Sequence, residues 1–248
     1  MVSKLSVAAW NVNGIRHKID SVNTVFKYHD ADFMNLVSSH DIVGLLETHV
    51  PNNIKIHIQG YVTFQTERQK TSNGRHFGGI CIAVRQIIAP GVHVFRKDNE
   101  SEYIWIKLDK NFFKMKDDMY ICFLYVSPDK SGRTFGLDTL DRIADDVAKY
   151  SLISKCFILG DLNAHTTSEP DHVVSDLSNE QFPLPDNYIP DCPMRRRNTD
   201  KTNLSDHGKA LLDLCISSGM IDFEWKKIRR YFWKTNLPRS LFKTTLSN

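Results

Sequence analysis

The sequence predicts an α/β fold, a two-layered α/β sandwich of the four-layer type, incomplete on its C-terminal side. Three observations carry this. Short apolar runs of strand length recur along the chain, stripes of apolar residues at helical spacing fall between them, and several runs end in loops that open with a carboxylate or carboxamide. Strands interrupted by helices are the pattern of a layered α/β domain.

The elements follow in chain order. Residues 5–10 form the first expected strand and lead into Asn11-Val12-Asn13-Gly14. Residues 30–37 read as a helix, and residues 42–47 as an apolar strand that closes on Glu47, before Thr48 and His49. Further strands are expected at 61–65, 79–85, 103–108 and 119–126. Residues 103–108 are apolar on both faces until Lys107, as in a strand held between two layers. Residues 137–150 place Leu137, Leu140, Ile143, Ala144 and Val147 on one helical stripe. A strand at 156–162 ends in Gly160-Asp161-Leu162-Asn163-Ala164. Residues 166–202, rich in Asp, Pro, Ser and Asn, read as a long irregular loop, and 210–215 as a helix with Leu211, Leu214 and Cys215 on one face.

With 248 residues the chain is long enough for one large or two small domains, and the absence of repeats or low-complexity linkers favours one, over 1–220. Residues 221–248 are set apart as a divergent basic-aromatic tail. A hydrophobic content of 41% with 25% charged residues is that of an ordinary globular protein, and no apolar run has bilayer length. Met1-Val2-Ser3-Lys4 leads straight into a strand-like run with no signal-peptide core, and the five cysteines show no metal-binding spacing. The expectation is a reduced, intracellular protein, nuclear or cytoplasmic and not secreted, without a membrane partner. A net charge of +3 permits a polyanionic partner without requiring one.

The chemistry concentrates at strand ends. Asp161 and Asn163 alternate around Leu162, so in an extended chain they face the same side. An Asp there orients a water or holds a metal, and an Asn donates to a phosphate oxygen; in isolation the same residues are turn formers. Glu47 closes an apolar strand, where a carboxylate needs a partner or a metal unless it sits at a surface loop entry. Asn11 begins a turn-like Asn-x-Asn-Gly, and Tyr125 in Tyr125-Val126-Ser127-Pro128 is either a strand aromatic or a phosphate donor. Each signal is modest alone. Oxygen groups delivered together by neighbouring strand ends are how a fold builds a site for a hard cation such as Mg²⁺.

This combination resembles the endonuclease/exonuclease/phosphatase superfamily, with its DNase I-like fold, over residues 5–220. Trp10-Asn11-Val12-Asn13-Gly14, Leu46-Glu47-Thr48-His49, Tyr125-Val126-Ser127-Pro128 and Gly160-Asp161-Leu162-Asn163-Ala164 carry the resemblance. It implies a Mg²⁺-dependent phosphodiesterase, with Mn²⁺ as the alternate ion and no other small-molecule cofactor. Asn11 and Glu47 would hold the metal, Asp161 would orient the attacking water, and Asn163 and Tyr125 would contact phosphate. The stretch from Arg195 to Asn203, followed by Gly208-Lys209-Ala210, is similar to animal non-LTR retrotransposon endonucleases. That implies a DNA-nicking activity, with Arg195, Arg196 and Arg197 on the phosphate backbone or, alternatively, in a solvated loop. Other readings are a non-catalytic nucleic-acid-binding remnant and a phosphatase acting on another phosphoester.

Ser205-Asp206-His207 matches the triplet with which the family closes, but it directly precedes a helix, where Ser or Asp serves as N-cap. The expectation is a cap, a truncated domain without the family's late strands and catalytic His, an unpaired edge strand, and a tail with little fixed structure.

Overall fold

The computed structural model describes residues 4–18, 24–51, 53–66, 78–98, 102–127, 135–167, 169–171, 203–220 and 241–247. They divide into two compact units, one from Met1–Ser127, Lys149–Leu162 and Lys227–Asn248, the other from Pro128–Ala148 and Asn163–Lys226.

In the first unit the chain order is β1 (Lys4–Asn11), β2 (Arg16–Lys18), β3 (Thr24–Phe26), α1 (Ala31–Ser38), β4 (Ile42–Leu46), β5 (Tyr61–Gln65), β6 (Ile80–Arg85), β7 (Val92–Lys97), β8 (Tyr103–Leu108), α2 (Lys110–Phe113) and β9 (Met119–Tyr125). Next come α3 (Phe135–Ser151), which starts in the second unit, β10 (Lys155–Asp161), α4 (Asp206–Ser218) in the second unit, and β11 (Leu241–Ser247) back in the first. A five-stranded sheet has the order β11-β1-β4-β6-β5, a four-stranded sheet β10-β9-β8-β7, and β2 and β3 form a separate hairpin. β1 runs parallel to β4 and β10 parallel to β9, while the other pairs are antiparallel.

The two larger sheets face each other across one core. Val7 and Ala9 of β1, Ile42 and Leu46 of β4, Ile104 of β8 and Phe123 of β9 all belong to it. The approach is close at Gly44, where an added Cβ would overlap the Phe123 ring, so only glycine fits that row of β4. A second core lies on the far side of the five-stranded sheet, where Trp10, Val43 and Leu45 meet Phe33 and Val37 of α1 and Ile56 and Ile58. β4 therefore contributes to both cores and is buried at every position, which is why its sequence is a continuous apolar run. Trp10 stacks on Phe33 with centroids 4.9 Å apart.

The expected strands at 61–65 and 103–108 have those bounds, and the others differ by a residue or so at their ends. The helices over 30–37 and 137–150 are α1 and α3, with Asp30 as N-cap of α1, its side chain accepting from the Phe33 N–H. β7 was not anticipated. Its pairing register shifts between Val94 and Arg96, and although burial alternates along the strand, an apolar Phe95 falls at an exposed position and a charged Arg96 at a half-buried one, which hides the period of two. The expectation of an unpaired edge and a tail with little fixed structure is corrected in one place. Residues 241–247 form β11, antiparallel to β1 from Lys4↔Ser247 to Trp10↔Leu241. The physical reason is the row of backbone groups along the outer side of β1, which an added strand satisfies. Residues 221–240 lie outside the described residues.

In the second unit, Leu140, Ile143 and Val147 of α3 are buried, the apolar stripe read from the sequence. α4 is longer than expected, starting at Asp206. Among the described residues no helix is long and apolar enough to cross a membrane.

Candidate active site

Alternation decides which side chains meet. Leu5, Val7 and Ala9 of β1 face the core between the sheets, and Asn11, at the C-terminal end of β1, continues that row. Ile121 and Phe123 of β9 face the same core, as does Tyr125 at the strand's end. Phe157 and Leu159 of β10 pack against it, and Asp161 is next in the row. Three of the residues singled out from the sequence thus end inward rows on facing sheets.

The bridge between the sheets is direct. Asn11 Nδ2 donates to Asp161 Oδ2 at 2.9 Å, across 150 positions of sequence. Asn13 N–H donates to Asn11 Oδ1 at 3.0 Å, so both ends of the buried Asn11 amide are engaged and its orientation is set. Asp161 lies opposite Tyr125 in the β9–β10 register, and Val126 N–H donates to the Asp161 carbonyl at 2.9 Å. Gly160 has a packing reason: a Cβ there would overlap the Leu124 carbonyl of β9.

Glu47 departs from the alternation. A regular strand would align it with Val43 and Leu45, on the outer core. Its backbone is instead left-handed, with φ 54°, and His49 repeats this with φ 53°. Such conformations are costly for residues other than glycine and persist only where surrounding structure enforces them. Here the segment is stitched on both sides. Val12, Gly14 and Ile15 N–H donate to the carbonyls of Leu46, Glu47 and Thr48, and Thr48 and His49 N–H donate to those of Gly79 and Gly78. The result sets His49 Nε2 3.8 Å from Glu47 Oε2. Gly14 turns the chain at φ 83°, a left-handed conformation that favours glycine, and sits in van der Waals reach of the His49 ring.

A cation braces the same loop from the hairpin side. Lys27 Nζ donates to the Val12 carbonyl at 2.6 Å, and the Lys27 N–H donates to the Ile15 carbonyl at 2.8 Å. Burial holds the Lys27 amine below its ordinary pKa. Sequence reading passed over Lys27 and His49. The Glu-Thr-His spacing was the available signal for His49, and for Lys27 there was none.

The remaining expected residues divide. β10 ends at Asp161 and Asn163 is left-handed, with φ 48°, so the extended geometry that would put both on one side stops at Asp161. Arg195, Arg196 and Arg197 lie outside the described residues. In the second unit Ser205 caps α4, its hydroxyl accepting from Gly208 N–H at 3.0 Å, as expected. Asp206 is exposed, 3.6 Å from Lys209. The cap is tied to the 163–167 stretch: His165 N–H donates to Ser205 Oγ, Ser205 N–H donates to the His165 carbonyl, and a Cβ at Gly208 would overlap that carbonyl.

The donor chemistry fits a hard divalent ion. Among the described residues no group of three or more His, Cys, Asp or Glu comes together, so these residues do not build an all-protein cage. Mg²⁺ does not need one. It is commonly held by one or two carboxylates and completed by water and substrate phosphate oxygens, which a partly buried Glu47 at a strand end can accommodate.

The Endonuclease/Exonuclease/phosphatase family profile matches residues 8–222. The chain belongs to that family, and its layered α/β architecture is of the DNase I-like kind. No curated protein matches the sequence. Among solved structures, the 3′-5′ exonuclease NExo from Neisseria meningitidis is 15% identical, with a TM-score of 0.46 over 66% of this chain and 59% of that one. An AP endonuclease from Archaeoglobus fulgidus is 22% identical, with a TM-score of 0.41 over 69% and 61%. TDP2 from D. rerio, complexed with a single-strand DNA product, is 15% identical, with a TM-score of 0.39 over 65% and 61%. The matched region spans less than two thirds of the length of each of these proteins.

Proposed function

We propose that this chain is a metal-dependent phosphodiesterase acting on DNA, of the nicking-endonuclease type found in non-LTR retrotransposons. The observation that carries the reading is the Asn11–Asp161 hydrogen bond, which closes two facing sheets at the ends where Glu47 and Tyr125 also emerge. Four separate strands contribute polar groups to one end of the sandwich, an arrangement that a fold without a site has no reason to keep polar.

In this reading Glu47 holds a divalent ion, Mg²⁺ or Mn²⁺, with Asn11 beside it. The bound ion would neutralise charge on the phosphate oxygens. Asp161, held by Asn11, accepts a hydrogen bond from the attacking water and so aligns it with phosphorus. Tyr125 and Asn163 donate to non-bridging oxygens, where negative charge grows in the transition state. Arg195, Arg196 and Arg197 contact the phosphate backbone, and the net charge of +3 is compatible with such a partner.

The test is cleavage of duplex DNA with and without the ion. Glu47→Ala is expected to lower the rate by about two orders of magnitude or more, and chelation of the ion to abolish it. Unchanged cleavage in Glu47→Ala would sink the assignment. A second reading, a non-catalytic DNA-binding remnant, is favoured by one observation: Ser205 and Asp206, of the triplet the family would use in catalysis, are engaged at the start of α4. Salt-sensitive DNA affinity without turnover would mark that case.

A further inference from the structure

We propose that His49 is a second protein ligand, beside Glu47, for the divalent ion, and that the pair gives this site a preference for Mn²⁺ over Mg²⁺. The inference rests on the metal-dependent reading above and adds to it a residue and an ion selectivity.

The geometry is that of a two-donor clamp. His49 Nε2 and Glu47 Oε2 are 3.8 Å apart. Two ligands each about 2.1 Å from one ion can be at most about 4.2 Å apart, so the observed separation lies within the span that one ion bridges. Adjacent ligands of an octahedral ion lie about 3.0 Å apart, so a side-chain rotation that closes the gap by under about 1 Å would seat both atoms. The backbone that sets them is fixed by hydrogen bonds from Val12, Gly14 and Ile15 on one side and to Gly78 and Gly79 on the other. Glu47 and His49 both adopt left-handed φ values, 54° and 53°, so turns of the backbone rather than strand alternation place their side chains. Such strain is kept where it aims groups.

Accessibility suits an ion. The His49 and Glu47 side chains are 28% and 17% exposed, open to solvent yet partly dehydrated. The chemistry then decides the ion. Oxygen-only sites suit Mg²⁺, whereas an imidazole nitrogen suits the borderline transition-metal ions, among which Mn²⁺ retains the oxygen affinity that Glu47 and phosphate require. A bare ion pair between Glu47 and a charged imidazole is the competing explanation of the 3.8 Å contact. It predicts no nitrogen on the metal.

Pulsed electron paramagnetic resonance of the full chain loaded with Mn²⁺ separates these. The expected result is a nitrogen modulation that changes when histidine is labelled with ¹⁵N and disappears in His49→Ala. Titration calorimetry should show His49→Ala weakening Mn²⁺ about 10-fold while leaving Mg²⁺ affinity nearly unchanged. The labelled wild-type signal needs no variant to fold. Mn²⁺ that binds without nitrogen coupling, or with equal affinity in His49→Ala, overturns the proposal. The two readings fail differently. Glu47→Gln that weakens both ions while nitrogen coupling is absent leaves the metal-dependent function and removes His49. Glu47→Gln that weakens neither ion removes both.

Discussion

At the scale of single residues, polar groups here are fixed by what lies behind them. Asn11 spends both ends of its amide, one on Asp161 and one on its own loop, so Asp161 is aimed by a neighbour from the opposite sheet. Asn11→Ala is expected to cost only about 1 kcal/mol of stability but about 10²-fold in turnover, because Asp161 loses its alignment. A thermal melt and steady-state kinetics on the same sample check the split, and parallel small losses in both would contradict it. Asp118 shows the electrostatic side. The Lys110 backbone N–H donates to its carboxylate at 2.9 Å, and Lys107 lies 3.3 Å away, holding its pKa below the ordinary aspartate value. A depressed folded pKa stabilises the native state above the unfolded value, and that contribution is lost as pH falls through the folded value. Asp118→Asn is expected to lower the melting temperature near neutral pH and to flatten its decline on acidification. Wild type and variant melting in parallel across the acid range would argue against this.

At the scale of elements, sequence reading succeeded where period and chemistry agreed. Residues 61–65 and 103–108 were read with the bounds of β5 and β8, and the apolar run before Glu47 was read as a buried strand because β4 feeds two cores. β7 was missed because Phe95 is exposed and Arg96 half-buried, so the apolar-polar pattern reverses after Val94 although burial alternates. The early start of α4 was missed because Asp206-His207-Gly208-Lys209 lacks apolar periodicity and contains a glycine, although the capping role of Ser205 was legible. The candidate site followed the same rule. Asn11, Tyr125 and Asp161 were readable because each ends an inward row, whereas His49 depends on backbone turns that no period encodes. Ser205→Ala should remove the cap and destabilise α4 by about 1 kcal/mol, measurable as faster amide exchange in its first turn. At the other end of the chain, β11 protects the outer side of β1. Thr244→Pro, which removes an N–H from that ladder, should raise exchange at the facing β1 amides and the tendency to aggregate. Unchanged exchange at Val7 and its neighbours would show that the pairing is not what protects that edge.

At the scale of the whole molecule, the sandwich explains the site's position. Two sheets packed so closely that Gly44 meets the Phe123 ring bring β1 and β4 of one against β9 and β10 of the other. Within each sheet the site-bearing pair is parallel, so the C-terminal ends of all four strands carry the polar residues. Apolar side chains fill the rows up to those ends, and the last position of three of them is polar. The account stands or falls on whether that end of the sandwich performs metal-dependent cleavage. The most direct measurement incubates the full chain with supercoiled plasmid and Mg²⁺, beside Asp161→Ala and a chelator control. The account predicts conversion to the open circular form by the wild type alone. Folded wild type that leaves the plasmid supercoiled, or nicking that survives both Asp161→Ala and the chelator, would contradict it.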